Sequence, residues 1–296
     1  MSAFMDGFVN APLQPGFDRV QRHALLGVQF RDAVTGQAVG EGLRVTLRDR
    51  WRPQRVQALA ANRSAIFALH AWPGMPGFQA APSAETTSPA EPPRFQLQVQ
   101  DTRGRYLPFS LQPEVPSPGL WSPPLQSPDA VNPGLRADLP PHVPLFSAAT
   151  RTLPPQLASL RAELRRASRP KEPAAWARLQ LWLGGSLLAQ GQADEAGRAL
   201  LLFALPRPRE AGLGTSPAGQ PPAFEWTVNL RGFWQAGLGA AEAPSYDAFF
   251  SQPAVTLLRA PAATPAQHQA LPPLLLRAGE TLMAQQAPES YVYVAD

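Results

Sequence analysis

Apolar and polar side chains alternate with period two along much of the first third of the chain. In "LLGVQFRD", Leu26, Val28 and Phe30 fall on one face and Gln29 and Arg31 on the other. In "GLRVTLRD", Leu43, Val45 and Leu47 oppose Arg44, Thr46 and Arg48; in "RFQLQVQD", Phe95, Leu97 and Val99 oppose Gln96, Gln98 and Gln100. Successive side chains of a strand point to opposite faces, so each segment predicts a half-buried β-strand. The second half repeats the pattern in "SLRAELRR" (159–166) and "AWARLQLWL" (175–183). A helix over 156–168 is the competing reading there, because Leu157, Leu160 and Leu164 also fit helical spacing.

One constant offset lays Leu160 on Leu26, Leu164 on Phe30, Ala177 on Leu43 and Leu181 on Leu47. Nearly the same offset sets Gly197 on Asn62, the two residue types that most readily take the left-handed conformation of a tight turn. A slightly smaller one sets Phe224 on Phe95 and Val228 on Val99, with Trp226 between them as a core residue. Four segments in the same order predict an internal duplication of one β-domain. The segment "LLAQGQADEAGRALLLF" (187–203) then becomes a strand, a turn at Asp194–Gly197 with Gly197 at positive φ, and a second strand. Gly184-Gly185-Ser186 reads as a hairpin turn. "LPPLLLRAGETLMAQ" predicts two strands about Ala278-Gly279, "SYVYVAD" a last strand at a sheet edge, and "PSYDAFFSQ" a short helix capped by Ser245.

Composition sharpens this picture. Of 296 residues 36 are proline, well above the usual roughly 5%. Proline lacks an amide donor and breaks helices, so the content favours an all-β chain with long connections. The tracts 73–93, 113–144 and 206–222 are expected as loops that become ordered in an assembly. The predicted organisation is an arm over 1–22, a sandwich over 23–112, a proline-rich linker over 113–145 and a second sandwich over 146–296.

Charge and chemistry exclude more than they supply. The net charge is +4, but the basic residues are scattered. Their densest run, "RAELRRASRPK", reads as a solvated strand face and turn, so no nucleic-acid partner is expected. With no cysteine there is no disulfide, thiolate site or cysteine nucleophile. No apolar run reaches the roughly 18 residues of a membrane span. The N-terminus lacks a basic start followed by an apolar run, which points to synthesis in the cytoplasm without a signal peptide and leaves room for a place in a released particle.

His23, His70, His142 and His268 lie outside metal-ligand spacing; His70 reads as a packed or surface residue, His142 and His268 as solvated. There is no GxSxG and no phosphate loop. Asp32, Asp101 and Asp194 sit at predicted turns, where a carboxylate binds nearby amides. No enzymatic activity, metal or cofactor is therefore expected.

The aromatics are the anomaly. With the leucines of 175–183 facing inward, Trp176 and Trp182 fall on the outer face, where the first half has Gly42 and Arg48. Trp176 and Trp182, with Tyr291 and Tyr293 of "SYVYVAD", are the candidate interface residues. Either the chain itself covers the tryptophans, or a subunit or ligand does.

The turn-and-strand segments "DAVTGQAV", "QDTRGRYLPF" and "GQADEAGRALLLF" resemble those of carboxypeptidase-regulatory-like and transthyretin-like β-sandwiches. That resemblance implies a spacer, adhesive or assembly module. More loosely, the two-sandwich layout and the bridge "VPLFSAATRTLPP" resemble accessory proteins of contractile, phage-tail-like injection particles, which implies protein subunits as partners. The other class left open is a ligand- or carbohydrate-binding module.

Overall fold

A computed structural model describes residues 24–73, 95–117, 119–123, 139–207, 224–238, 243–262, 264–285 and 290–296. The expected arm 1–22 and most of the three proline tracts lie outside the described residues. The fold is all-β. The first half holds β1 (Leu26–Asp32), β2 (Leu43–Asp49), β3 (Val56–Leu59), β4 (Ile66–Leu69), β5 (Phe95–Asp101), β6 (Phe109–Leu111), β7 (Leu120–Trp121) and β8 (Val143–Leu145). The second holds β9 (Ala158–Arg166), β10 (Arg178–Leu183), β11 (Ser186–Gln192), β12 (Arg198–Phe203) and β13 (Glu225–Phe233). After the short helix α1 (Tyr246–Phe250) come β14 (Ala254–Val255), β15 (Leu257–Leu258), β16 (Leu274–Arg277), β17 (Leu282–Met283) and β18 (Val292–Val294).

Each half is a sandwich of two sheets, and the strands around β1 and β9 follow a similar order, the second half adding β15 beyond β18 and β16 on β13. In the first, β1 lies between antiparallel β4 and parallel β7 and β8; in the second, β9 lies between antiparallel β12 and parallel β17 and β18. The facing sheets run β3–β2–β5–β6 and β11–β10–β13–β14, with β16 also on β13. The alternation dictates the cores. Val28, Phe30, Val45, Leu47, Leu97 and Val99 close one, and Leu160, Leu164, Leu179, Leu181, Leu201 and Val228 the other.

The stretch 187–203 is strand, turn and strand, and 158–166 is strand rather than helix. Leu183 pairs with Ser186 around Gly184 and Gly185, both at positive φ, as the hairpin reading requires.

Two offsets need correction. Val45 pairs with Val99 and Leu179 with Gly232, so Gly232, not Val228, occupies the place of Val99. Alternation recurs every two residues and cannot choose between registers that differ by an even number. Phe224 is accordingly exposed and Trp226 only half-buried.

The turn is offset too. Asn62 Oδ1 accepts the amides of Ser64 (2.9 Å) and Ile66 (3.0 Å), while Asp194 Oδ1 accepts those of Ala196 and Arg198 (both 2.9 Å). Asp194 therefore stands where Asn62 does, and Gly197 (φ 77°) matches Ala65 (φ 56°). Asp32 and Asp101 bind turn amides in the same way, as expected.

The segment expected as a linker is built into the first sandwich at both ends, through β7 and β8. The last strand is not an edge. β18 lies between β9 and β15, and Tyr293 is buried.

A seam joins the sandwiches. Beyond β8 the backbone zips along 105–107, with Leu107 N–H donating to Phe146 O (3.0 Å) and Ala148 N–H to Arg105 O (2.9 Å). This carries Arg151 onto the Asp32 carboxylate, which also accepts from Tyr106 Oη–H (2.8 Å). The Arg151 and Arg105 guanidiniums lie 5.0 and 5.2 Å from the Tyr106 ring centre. Burial pulls the Asp32 carboxyl upward, but the Thr35 amide, Arg151 and Tyr106 outweigh it and hold it below the ordinary range. Burial and the Asp32 charge push Tyr106 above its ordinary value. On the other side α1, from the second half, packs Tyr246 and Phe249 into the first core, 5.7 Å from Phe109 and 6.4 Å from Trp176 respectively.

Two outcomes follow. A Cβ on Gly197 would stand 2.3 Å from Leu164 O, so Gly197→Ala costs roughly 2–4 kcal/mol, whereas Ala65→Gly relieves roughly 0.5–1 kcal/mol at the matching turn. Urea midpoints moving in the same direction would refute the turn equivalence. Because Asp32 is lowered in the folded state, its stabilisation is present above the unfolded value near 4 and disappears as pH falls through the folded one. Tyr106→Phe is expected to cost about 1–3 kcal/mol at neutral pH. Asp32→Asn should flatten the acid limb of the stability curve; an unchanged limb would show that the seam does not depend on this carboxylate.

Candidate functional site

The four aromatics singled out in the sequence do not converge. Trp176 precedes β10, at φ 61°, and is buried in the seam against Phe249; its carbonyl accepts from Gln252 Nε2–H (2.9 Å). Its expected place on the outer strand face is therefore corrected: the regular strand starts at Arg178, so the alternation does not extend back to it. The chain itself covers Trp176. Trp182 is half-buried on the outer face, donates Nε1–H to Gln180 Oε1 (3.2 Å) and carries the Arg231 guanidinium 4.5 Å from its ring centre. Tyr293 is interior, while Tyr291 is half-buried beneath Arg165, whose guanidinium lies 4.0 Å from the ring centre. Tyr291 lines a groove of about 360 Å³ together with Arg161, Glu163, Arg198 and Met283.

His142 is buried rather than solvated, with Nδ1 2.8 Å from Pro140 O; His268 is half-buried and His70 exposed. Among the described residues no group of three His, Asp or Glu side chains gathers to hold a metal ion, and no helix is long and apolar enough to cross a membrane.

Two features were missed. The first is Arg178, a charged residue of the outer strand face that is only 6% exposed. Its guanidinium lies 3.8 Å from the Phe233 ring centre and 5.6 Å from that of Phe250, and it meets no carboxylate among the described residues. Burial alone lowers its pKa to about 10. No sequence signal marked it, because the cover comes from α1, distant in the chain.

The second is the β2–β3 hairpin tip. In "DRWRPQRV" (49–56) the turn is set by Asp49, whose Oδ1 accepts the Trp51 amide (2.9 Å). This leaves Trp51 63% and Val56 50% exposed, among Arg50, Arg52 and Arg55. Arg50 Nη1–H donates to Gln112 Oε1 (3.2 Å), on the rim of a groove of about 400 Å³. Leu111, Leu120 and Trp121 form its apolar wall, and Glu114 and Asp247 its charged one. The sequence signal was present: a tryptophan among three arginines at a proline-containing turn.

No protein-family model matches the chain, and none of the curated proteins matches it. Among solved structures, the Bacillus anthracis TIE protein aligns with 89% of this chain and 33% of its own, at 9% identity and a TM-score of 0.23. A 9R-lipoxygenase from Cyanothece aligns with 46% of this chain and 17% of its own, at 16% identity and a TM-score of 0.20. This chain thus matches a third or less of either protein's length, and likeness at this level carries no argument about function.

Because Arg178 is lowered in the folded state, the unfolded chain holds more protons above about pH 10, and stability contributed at this position rises with pH there. At neutral pH Arg178→Met is expected to raise the urea midpoint, since an unpaired buried charge is exchanged for an apolar chain of similar length. A lowered midpoint would show that stacking on Phe233 outweighs desolvation.

Proposed function

We propose that this protein is a non-enzymatic structural and assembly protein, a stiff two-sandwich unit seated among the protein subunits of a larger particle. A contractile, phage-tail-like injection particle is the specific setting. The observation that carries this reading is the seam. Arg151 on Asp32 and α1 in the first core tie the sandwiches at two separate places, which suits a part that bears load or fixes spacing. The similar strand order supports descent of the two halves from one duplicated domain of the carboxypeptidase-regulatory-like or transthyretin-like kind. Cytoplasmic synthesis followed by incorporation into the particle belongs to the same reading.

The second reading is a carbohydrate-binding module. It is favoured by the groove at Trp121, where an indole stands beside Gln112, Glu114 and Asp247. An aromatic face for sugar C–H groups and carboxylates for hydroxyls are what a saccharide requires.

Density-gradient fractionation of a lysate of the producing cell, followed with an antibody, separates the two. The assembly reading expects the protein in fast-sedimenting fractions, with fixed stoichiometry to the other subunits there. Recovery at the mass of the free chain in every fraction, with saturable binding to an oligosaccharide panel, would replace it with the saccharide reading.

A further inference from the structure

The hairpin tip and the groove beside it form one self-complementary patch. The tip is basic and apolar: Trp51 and Val56 project among Arg52 and Arg55, neither of which makes an ion pair among the described residues. The groove is acidic and apolar, with exposed Glu114 and half-buried Asp247 next to Leu120 and Trp121. Their adjacency is fixed by the hydrogen bond from Arg50 to Gln112 and by β6, which leads directly into the groove wall.

We propose that a second copy of this chain docks here. Each tip inserts Trp51 into the other copy's groove, and its two free guanidiniums face the other copy's two carboxylates. The chemistry matches on three counts. A two-fold contact requires the same patch to carry both halves of the complementarity, and this one does. Tryptophan and arginine are the side chains that most often carry binding energy at protein interfaces. A groove of about 400 Å³ also has room for an indole. An exposed Trp51 costs solvation in the free chain, and burying it against Leu120 and Trp121 removes that cost. A membrane surface is a poorer match, because the carboxylates beside the tip would repel anionic head groups.

The proposal rests on the assembly reading and is tested separately from it. Sedimentation velocity of the full chain is run over a concentration series, for the wild type, Trp51→Ala, Arg52→Glu, Glu114→Arg and the Arg52→Glu/Glu114→Arg double variant. All three positions are exposed, so unchanged circular dichroism and urea midpoints are expected and serve as the folding control. The wild type is expected to self-associate reversibly. Each single variant weakens association by about tenfold or more, and the double variant recovers it, because the swapped charges meet again across the two-fold. A wild type that stays monomeric at every soluble concentration overturns the proposal, as do single variants without effect or a double variant without recovery. A monomer that still sediments with the particle would sink the two-fold contact and leave the assembly reading standing. A dimer that joins no particle would do the reverse.

Discussion

The Asp32 carboxylate is the constraint on which the two-sandwich arrangement depends. It closes the turn after β1 by accepting the Val34 and Thr35 amides, and it is 3% exposed. A buried carboxylate is tolerable only when its lone pairs are filled and its charge is met. Tyr106 and Arg151 supply both, and they come from the end of the first sandwich and the entry to the second. Solvating this one group thus fixes the path of the chain between the halves. The zipped backbone at 105–107 and 146–148 holds the same path by main-chain hydrogen bonds.

A similar strand order gives the two halves unlike surfaces. The outer face of β2 and β3 carries Arg44, Thr46, Val56 and Ala58 at least partly open to solvent. The corresponding face of β10 and β11 carries Arg178, Gln180, Gln190 and Gln192, all buried. Part of the cover is Phe250 of α1, a helix with no counterpart among the described residues of the first half. Covering polar side chains demands partners: Gln180 and Gln190 pair with each other (3.0 Å), while Arg178 is left to aromatic rings. The first half keeps this face open up to the Trp51 tip, whereas the second covers it at β10 and β11 and leaves Asn229 and Arg231 of β13 exposed.

Strand identity was legible in the sequence because period-two alternation directly reflects a face on a core; β1, β2, β5 and β9 all lie where Val28, Val45, Val99 and Leu160 placed them. Register was not legible, since a pattern of period two is blind to even shifts, and Gly232 took the place expected of Val228. The turn was half legible: Gly197 has positive φ, yet its counterpart is Ala65, a residue whose side chain gives no hint of that conformation. The candidate surface was least legible. Whether Trp176 or Tyr293 is exposed depends on α1 and β15, which arrive from elsewhere in the chain, whereas Trp51 is exposed by its own local turn.

The central claim is that the seam makes the two sandwiches one cooperative body. Differential scanning calorimetry of the intact chain tests it most directly. A single transition with equal calorimetric and van't Hoff enthalpies is predicted, because the first core is incomplete without Trp176, Tyr246 and Phe249 from the second half. Two resolved transitions, each with the enthalpy of one half, would contradict it.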